Sequence, residues 1–517
     1  MQVISGNETT KKTGRNRKAL RVGKLNFYKM KKILFTTVLF ATHFLLQAQA
    51  PAIEWAKCYG GNGGDYGNTI QQTPDGGYII AGTIGNTFSD FSSGGDIIPH
   101  DTVDCEWIVK IDEAGAIQWQ KFGAQKIGQT FDGGYIGISK LKGLTKMDQV
   151  GNTIWQYATT ISGELSVKQT SDSGFIMNNA LSGASYDFRI TKIDANGNFL
   201  WHSDTVGGTG DDIPSTVITV KNGGFLQVGS SKSVNGDVTD HHGDHTTLDC
   251  WVVRYDSLGH VIWTKSYGGT GVEMAQDVVQ TADGNYVIIA KMNSAADGDI
   301  SEHFGGEDIW LIKIDDSGTI LWKKTFGSIL NESPNRIKQT SDGGFIITGG
   351  GPAGSNHGAS ADMYVLKIDE NGVKQWDKSL GSIDNESGDD IIQTTDGGYV
   401  VIGMTQQHNG DNGDVVGNHG KQDFWVVKLG EGTNGLSDLK NETTLAVYPN
   451  PANDFITIGN LSIGSTITIT DITGKTIYKL VSDVENPTIN TSSFINGVYI
   501  IDIQDKSERL TLRFIKQ

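Results

Sequence analysis

Short apolar runs recur along most of the chain, each closed off by Gly, Asp, Asn or Thr. Runs this short, bounded by turn residues, predict β-strands rather than helices. Many sit in pairs around one turn, Thr-x-Asp-Gly-Gly-aromatic. It stands as Thr73-Pro-Asp75-Gly-Gly-Tyr78, Thr130-Phe-Asp132-Gly-Gly-Tyr135, Thr340-Ser-Asp342-Gly-Gly-Phe345 and Thr394-Thr-Asp396-Gly-Gly-Tyr399. Looser copies are Thr170-Ser-Asp172-Ser-Gly-Phe175, Val220-Lys-Asn222-Gly-Gly-Phe225 and Thr281-Ala-Asp283-Gly-Asn-Tyr286. The seven copies lie 40 to 61 residues apart. Asp-Gly between apolar runs predicts a hairpin, because Gly accepts the positive φ of the turn.

A second element counts to seven independently. An apolar strand, beginning near Trp107, Leu144, Phe188, Trp251, Trp310, Tyr364 and Trp425, leads in six cases to Asp-x-x-Gly and then to Trp119, Trp155, Trp201, Trp263, Trp322 or Trp376. Each unit thus reads as four strands, a to d, with the Asp-Gly-Gly turn between a and b and the Trp on d. Four antiparallel strands at this period predict the blades of a propeller. The seventh unit stops at Gly430 without a strand d. Ile53-Glu-Trp55-Ala-Lys57-Cys-Tyr59-Gly-Gly61 matches Val261-Ile-Trp263-Thr-Lys265-Ser-Tyr267-Gly-Gly269 almost position by position. The expectation is that this N-terminal strand completes the last blade and removes an open edge. Trp55, Trp119, Trp155, Trp201, Trp263, Trp322 and Trp376 are then expected to pack between blades. Cys105 and Cys250 fall in blades one and four, too far apart for a disulfide.

These units resemble bacterial propeller repeats of the secreted SBBP kind, carried by Asp423-Phe-Trp-Val-Val-Lys428 and Trp263-Thr-Lys-Ser-Tyr-Gly-Gly269, over residues 51–430. The Asp-x-x-Gly-x-x-x-Trp segment also resembles the tryptophan docking motif of quinoprotein dehydrogenases. There it locks blades together and carries no chemistry, and likeness of fold does not transfer an activity.

Charge separates the start of the chain from the rest. Residues 1–32 hold ten Lys/Arg and one acid, so the remainder has 32 basic against 58 acidic residues, a net of −26. Such a chain repels nucleic acid and attracts cations. Met30-Lys31-Lys32, the apolar run Ile33 to Leu46 and Gln47-Ala48-Gln49-Ala50 predict a signal peptide over residues 30–50, with cleavage after residue 48 or 50. The run is short for a membrane span, and no transmembrane segment is expected in the mature chain. Residues 1–29 read as a start placed too early or as a basic leader.

Residues 431–444 form a polar linker, and residues 445–517 return to alternating strands that predict a small β-sandwich. Tyr448-Pro449-Asn450-Pro451, Ile469-Thr-Asp-Ile-Thr-Gly474-Lys475, Asn496-Gly497-Val-Tyr499 and Arg513-Phe-Ile-Lys516 make this segment similar to the type A sorting domain of the type IX secretion system of Bacteroidetes. The resemblance implies export through the periplasm, a partnership with the secretion machinery, and an extracellular or cell-surface location.

Propeller geometry puts the b–c loops and d–a crossings on one face. The b–c loops are long in blades one (Thr83 to Asp104), four (Ser230 to Asp249), five (Lys291 to Asp308) and seven (Met404 to Asp423), and nearly vanish in blades two and three. A ligand is expected on this uneven face. Asn235-Gly-Asp237, Asp297-Gly-Asp299 and Asn412-Gly-Asp414 recur there, each followed by a His (His242, His303 or His419) and a pre-strand Asp. Asp237, Asp299 and Asp414 are calcium candidates, although Asx turns and a His–Asp tie, as in WD-repeat propellers, explain the same residues. The chain lacks Gly-x-Ser-x-Gly, His-Glu-x-x-His and phosphate-loop signatures. The expected function is therefore non-catalytic binding of glycan, protein or matrix. The alternatives are a polysaccharide hydrolase or lyase and a structural surface component. A non-repeated polar cluster along the axis favours catalysis. A smooth axis with an uneven rim favours binding.

Overall fold

The computed structural model describes residues 49–85, 93–98, 105–140, 142–159, 166–182, 185–354, 360–406, 413–431, 446–448, 452–459, 461, 463–484, 486–504 and 509–517. The basic leader, the signal segment up to residue 48 and Pro449–Pro451 lie outside these residues. Contacts divide the chain into two compact units, with the boundary between Asn434 and Gly435. Among the described residues all regular structure is strand.

The first unit is a ring of seven four-stranded antiparallel sheets, each in the order a-b-c-d. Blades 1 to 6 span residues 65–122, 126–157, 167–202, 212–267, 273–326 and 333–380. Blade 7 takes residues 385–429 and borrows its fourth strand from the far end of the sequence. Ile53–Tyr59 runs antiparallel to Asp423–Leu429, with Ala56 opposite Val427 and Tyr59 opposite Phe424. Seven apolar clusters each straddle two neighbouring blades. One joins Ile80 and Trp107 of blade 1 to Ile402 and Phe424 of blade 7, so the ring closes by packing as well as by pairing.

The strand-d tryptophans cap the next blade. Trp119 stands edge-on to Tyr135 with ring centres 6.3 Å apart, and Trp155 to Phe175 at 5.7 Å. A Cβ on Gly197 would meet the Trp155 ring at 2.7 Å, which is why the Asp-x-x-Gly turn ends in glycine. Except for Trp376 these rings are only half-buried. The deepest are Trp107, Trp251, Trp310 and Trp425 on strand c, all with no exposed surface. The sequence had marked these only as strand starts.

Two clips hold the tight-turn face. In the Asp-Gly-Gly turns the Asp accepts from the preceding Thr hydroxyl and pairs with a buried Lys on strand c, as in Lys110–Asp75 at 2.9 Å and Lys367–Asp342 at 2.8 Å. In blade 4 the Asp is Asn222, which offers no charge. There Arg254 replaces the lysine and reaches Asp316 of blade 5 at 3.2 Å. The second clip is a glutamine at the end of strand a. Gln280 accepts from Lys221 N–H of the previous blade at 2.8 Å and donates to Gly284 in its own turn at 3.1 Å. Gln72, Gln169 and Gln393 repeat both contacts.

Blade 3 departs from the turn rule, with Ser173 at φ +65° where Gly133 of blade 2 has +80°. A side chain in the left-handed region costs roughly 1 kcal/mol. Ser173→Gly is therefore expected to stabilise the propeller by about 1 kcal/mol in urea unfolding, and no gain would show that the turn bears no strain.

The second unit packs a three-stranded sheet and a four-stranded sheet around one apolar cluster containing Ile456, Ile467, Ile501 and Phe514. None of the three described cysteines is in a disulfide.

Candidate functional site

On the long-loop face three loops are fastened to the crossings beneath them. The N–H of Asp237 donates to the Gly207 carbonyl at 2.9 Å, and its carboxylate accepts from Gly207 N–H at 3.1 Å. Asp299 does the same with Gly268, at 2.7 and 3.3 Å. Asp414 repeats it with Gly381, at 2.9 and 3.3 Å. The three calcium candidates thus each spend a carboxylate oxygen on a backbone clip. Among the described residues no three His, Cys, Asp or Glu come together as a metal site. Chelation with EGTA is accordingly expected to leave the melting temperature unchanged, and a drop of several degrees would assign these loops to calcium.

Below the clips, two carboxylates from adjacent blades converge at five blade junctions. A Cβ on Gly268 would lie 2.6 Å from Glu273 and 2.8 Å from Asp249. Gly60 stands in the same way between Asp65 and Asp423, Gly207 between Asp187 and Asp212, Gly327 between Asp308 and Glu332, and Gly381 between Asp362 and Glu386. The glycine is required because the acids fill the space of a side chain. His242 Nδ1 meets Asp249 at 3.0 Å, and its Nε2 lies 3.9 Å from Asp299 of the next loop. His419 bridges Asp423 and Asp96 in the same way, at 2.9 and 3.7 Å. His303 differs, with Nε2 meeting the Gly306 carbonyl.

Burial raises the carboxyls of Asp212, Asp249, Glu273, Glu386 and Asp423 above their ordinary range, against the hydrogen bonds they accept. Each holds its proton more tightly folded than unfolded. That stability is fully present below the ordinary carboxylate range and is lost as pH rises through the raised values. The tight-turn aspartates behave oppositely. The Thr130 hydroxyl, working with Lys146 and Gly134 N–H against partial burial, holds Asp132 at about 2. Stability from such groups is present above about pH 4 and is lost as pH falls through the lowered values. The propeller is expected to melt highest near about pH 5 and lower at neutral pH and in strong acid. Glu273→Gln should flatten only the neutral limb, and a melting temperature equal or higher at pH ~8 would refute this assignment.

The ring axis carries different chemistry. Successive strands a bond across blades: Ile70 N–H donates to Asp390 at 3.1 Å, Ile127 N–H to Thr69 at 3.0 Å and Ile337 N–H to Asp277 at 3.2 Å. These contacts make strand a the innermost strand. Between Asp277 and Asp390, blade 6 places Arg336 at the equivalent position, 3.7 Å from the first and 3.5 Å from the second. Lys338 lies 4.0 Å from Asp390. Lys168 stands at the strand-a register position of Lys338 on blade 3, with its side chain exposed. This cluster does not repeat, and the sequence reading missed it. Its signal was visible only as departures from the strand-a pattern.

In the second unit, Tyr448 pairs with Thr457 and Gly497 with Lys516. Gly474, at φ +82°, closes the turn with its N–H on the Asp471 carbonyl at 2.9 Å. Tyr499 is buried, stacks on Phe514 at 5.3 Å and donates to the Ile495 carbonyl at 2.7 Å.

Fold and tail together define an exported repeat propeller with a secretion tail. Residues 446–517 match the family described as the secretion system C-terminal sorting domain, and this segment is a sorting domain of the type IX system. It implies export to the surface or the medium and interaction with the type IX machinery. Among the described residues no helix is long and apolar enough to cross a membrane. The chain is 31% identical over 138 residues to beta-agarase A of Zobellia galactanivorans, covering 24% of this chain and 26% of that protein. It is 23% identical over 163 residues to the regulatory protein FlaEY of Caulobacter vibrioides, covering 29% and 17%. The chain therefore spans about a quarter or less of these relatives. Among solved structures, it aligns with the extracellular domain of a one-component system of B. thetaiotaomicron at TM-score 0.40, with 10% identity and 89% and 57% of the two chains covered. The Dos1 propeller aligns at TM-score 0.40, with 9% identity and 73% and 97% covered. PorZ of Porphyromonas gingivalis aligns at 0.24, with 11% identity and 87% and 70% covered.

Proposed function

We propose that this is a non-catalytic binding protein, exported by way of a signal peptide at residues 30–50, whose propeller engages a glycan, protein or matrix component through the long-loop face. The observation that carries this reading is the clipping of the loops. Asp237, Asp299 and Asp414 fasten their loops to the crossings, so a ligand meets a preorganised surface and little ordering entropy opposes binding. The test is a glycan and polysaccharide array probed with residues 51–430, with and without calcium. Saturable binding that is lost when the blade-4 loop is shortened supports the reading, and release of product from any polymer overturns it.

The axis cluster favours a second reading, a polysaccharide hydrolase or lyase, and the short match to an agarase points the same way. Against it, Asp277 and Asp390 each already accept from a backbone N–H and face Arg336. Both carboxylates are thus tied into the ring between neighbouring blades. A structural surface component remains the third reading, and the array separates it from the first.

A further inference from the structure

The junction between blades 1 and 2 is underfilled. Four residues after the strand-d Trp, blades 4 to 7 place Tyr267, Phe326, Leu380 and Tyr59, and each joins the apolar cluster shared with the next blade. The Tyr267 hydroxyl donates to the Gly318 carbonyl in the next Asp-x-x-Gly turn at 2.6 Å, as Tyr59 does to Gly115. Blade 1 has Gly123 at this position. From the other side, strand c of blade 2 has Gly143 at the register of Trp107, Trp251, Trp310 and Trp425. Two ring positions used at other junctions are therefore vacant here. What remains is an open cleft of about 280 Å³, lined by Lys121 and Gly123 of blade 1 and by Lys142 and Gly151 of blade 2 among others. That is close to the lower bound for ligand clefts, about 300 Å³, and suits a single ring-bearing unit.

The lining is cationic and polar. Lys142 Nζ would lie 3.3 Å from a Cβ on Gly123, so its ammonium reaches the vacated space. Lys121 Nζ donates to Asn152 Oδ1 of blade 2 at 3.4 Å. Thr145, Thr153 and Gln156 add hydroxyls and an amide, while Phe122 and Met147 add apolar surface. Among the described residues no Asp or Glu lines the cleft, although the chain beyond residue 32 carries a net of −26. Asp148, in the adjoining turn, accepts from Val150 and Asn152.

We propose that the cleft between blades 1 and 2 binds one anionic sugar unit, a hexose ring bearing a carboxylate or a sulfate ester. Lys121 and Lys142 pair with the anion through charge-assisted hydrogen bonds. The ring takes the volume that tyrosine and tryptophan rings fill at other junctions. A sugar hydroxyl donates to the Gly151 carbonyl as the Tyr267 hydroxyl does to Gly318. Phe122 and Met147 meet the apolar face of the ring, and the hydroxyls and amides fix its orientation. The site is built on strand flanks rather than on the loops held by Asp237, Asp299 and Asp414, and stands whether or not the long-loop face binds anything.

The test is a binding titration of the chain from residue 51 to residue 517 with galacturonate and galactose 6-sulfate, and with galactose as their neutral counterpart. At least one charged sugar is expected to bind saturably and about tenfold or more tighter than galactose, the scale of one charge-assisted hydrogen bond. The tighter of the two assigns the anion as carboxylate or sulfate ester. Lys121→Gln and Lys142→Gln should each weaken that binding about tenfold. Thr145→Val guards against a folding defect, because Val109, Val253 and Val427 hold the same register in three other blades. It should weaken binding about threefold through the lost hydroxyl. Lys57→Gln, at the register of Lys121 but beside Tyr59, should change nothing, and neither should shortening the blade-4 loop. Galactose binding as tightly as the charged sugars, no saturable signal from either of them, or unchanged affinity in both Lys121→Gln and Lys142→Gln overturns the proposal.

Discussion

A chain lacking residues 51–61 is expected to lose the cooperative unfolding of the propeller and to aggregate. The same residues joined after Gly430 through a short turn should restore it. Strand c of blade 7, Asp423–Leu429, is buried along its whole length. Without Ile53–Tyr59 it becomes an open, apolar edge, a template for pairing with other chains. The deleted strand also places Cys58 in the blade 6–7 cluster and Tyr59 in the blade 7–1 cluster, where the Tyr59 hydroxyl donates to the Gly115 carbonyl at 2.7 Å. Two of the seven inter-blade contacts are damaged at once. The loss should exceed about 5 kcal/mol, comparable with the whole net stability of a typical domain. The permuted chain is the informative control, because Gly430 N–H already donates to the Ala52 carbonyl at 3.0 Å and the two ends are adjacent. A deleted chain that still melts in one sharp transition near the wild-type temperature would show that the seventh blade closes without its fourth strand.

Trp310→Ala should destabilise the propeller by about 4 kcal/mol, and Trp322→Ala by about half as much. Both belong to blade 5. Trp310 has no exposed surface and belongs to the blade 4–5 cluster with Ile288 and Ile312. Truncation there leaves a cavity that the flanking strands cannot collapse, because each is paired on both sides. Trp322 is half-buried and rests over Gly372 of blade 6, so water replaces part of what it loses. Urea denaturation of the two variants decides the order. An equal or larger loss at Trp322 would give the strand-d rings the main part in holding blades together.

Much of this architecture could be read from the chain before any coordinates. Asp-Gly-Gly and Asp-x-x-Gly-x-x-x-Trp are local requirements: a turn needs positive φ, and a docking ring needs a glycine beneath it. Local requirements leave a mark in every copy, so counting them counts blades. The glutamine at Gln72, Gln280 and Gln393 was equally regular, yet its meaning was hidden, since its amide bonds to the previous blade as well as to its own turn. The lysine of strand c was visible, but its pairing with the turn aspartate was not. Asn222 and Arg254 change together in blade 4 for a reason that only the shared space of the pair explains.

The sequence by itself determined seven blades of four strands, the strand around Trp55 that closes them, and the secretion tail from Tyr448 onward. Each of these rests on a motif whose physics is contained within a few residues. The tertiary structure alone decided which charges meet. Asp277, Arg336 and Asp390 come from three different blades. Asp249 and Glu273 converge on Gly268 only because strands c and a of adjacent blades reach the same face. Electrostatic energy depends on distance through space, so its sites are assembled by ring closure and leave no pattern along the chain.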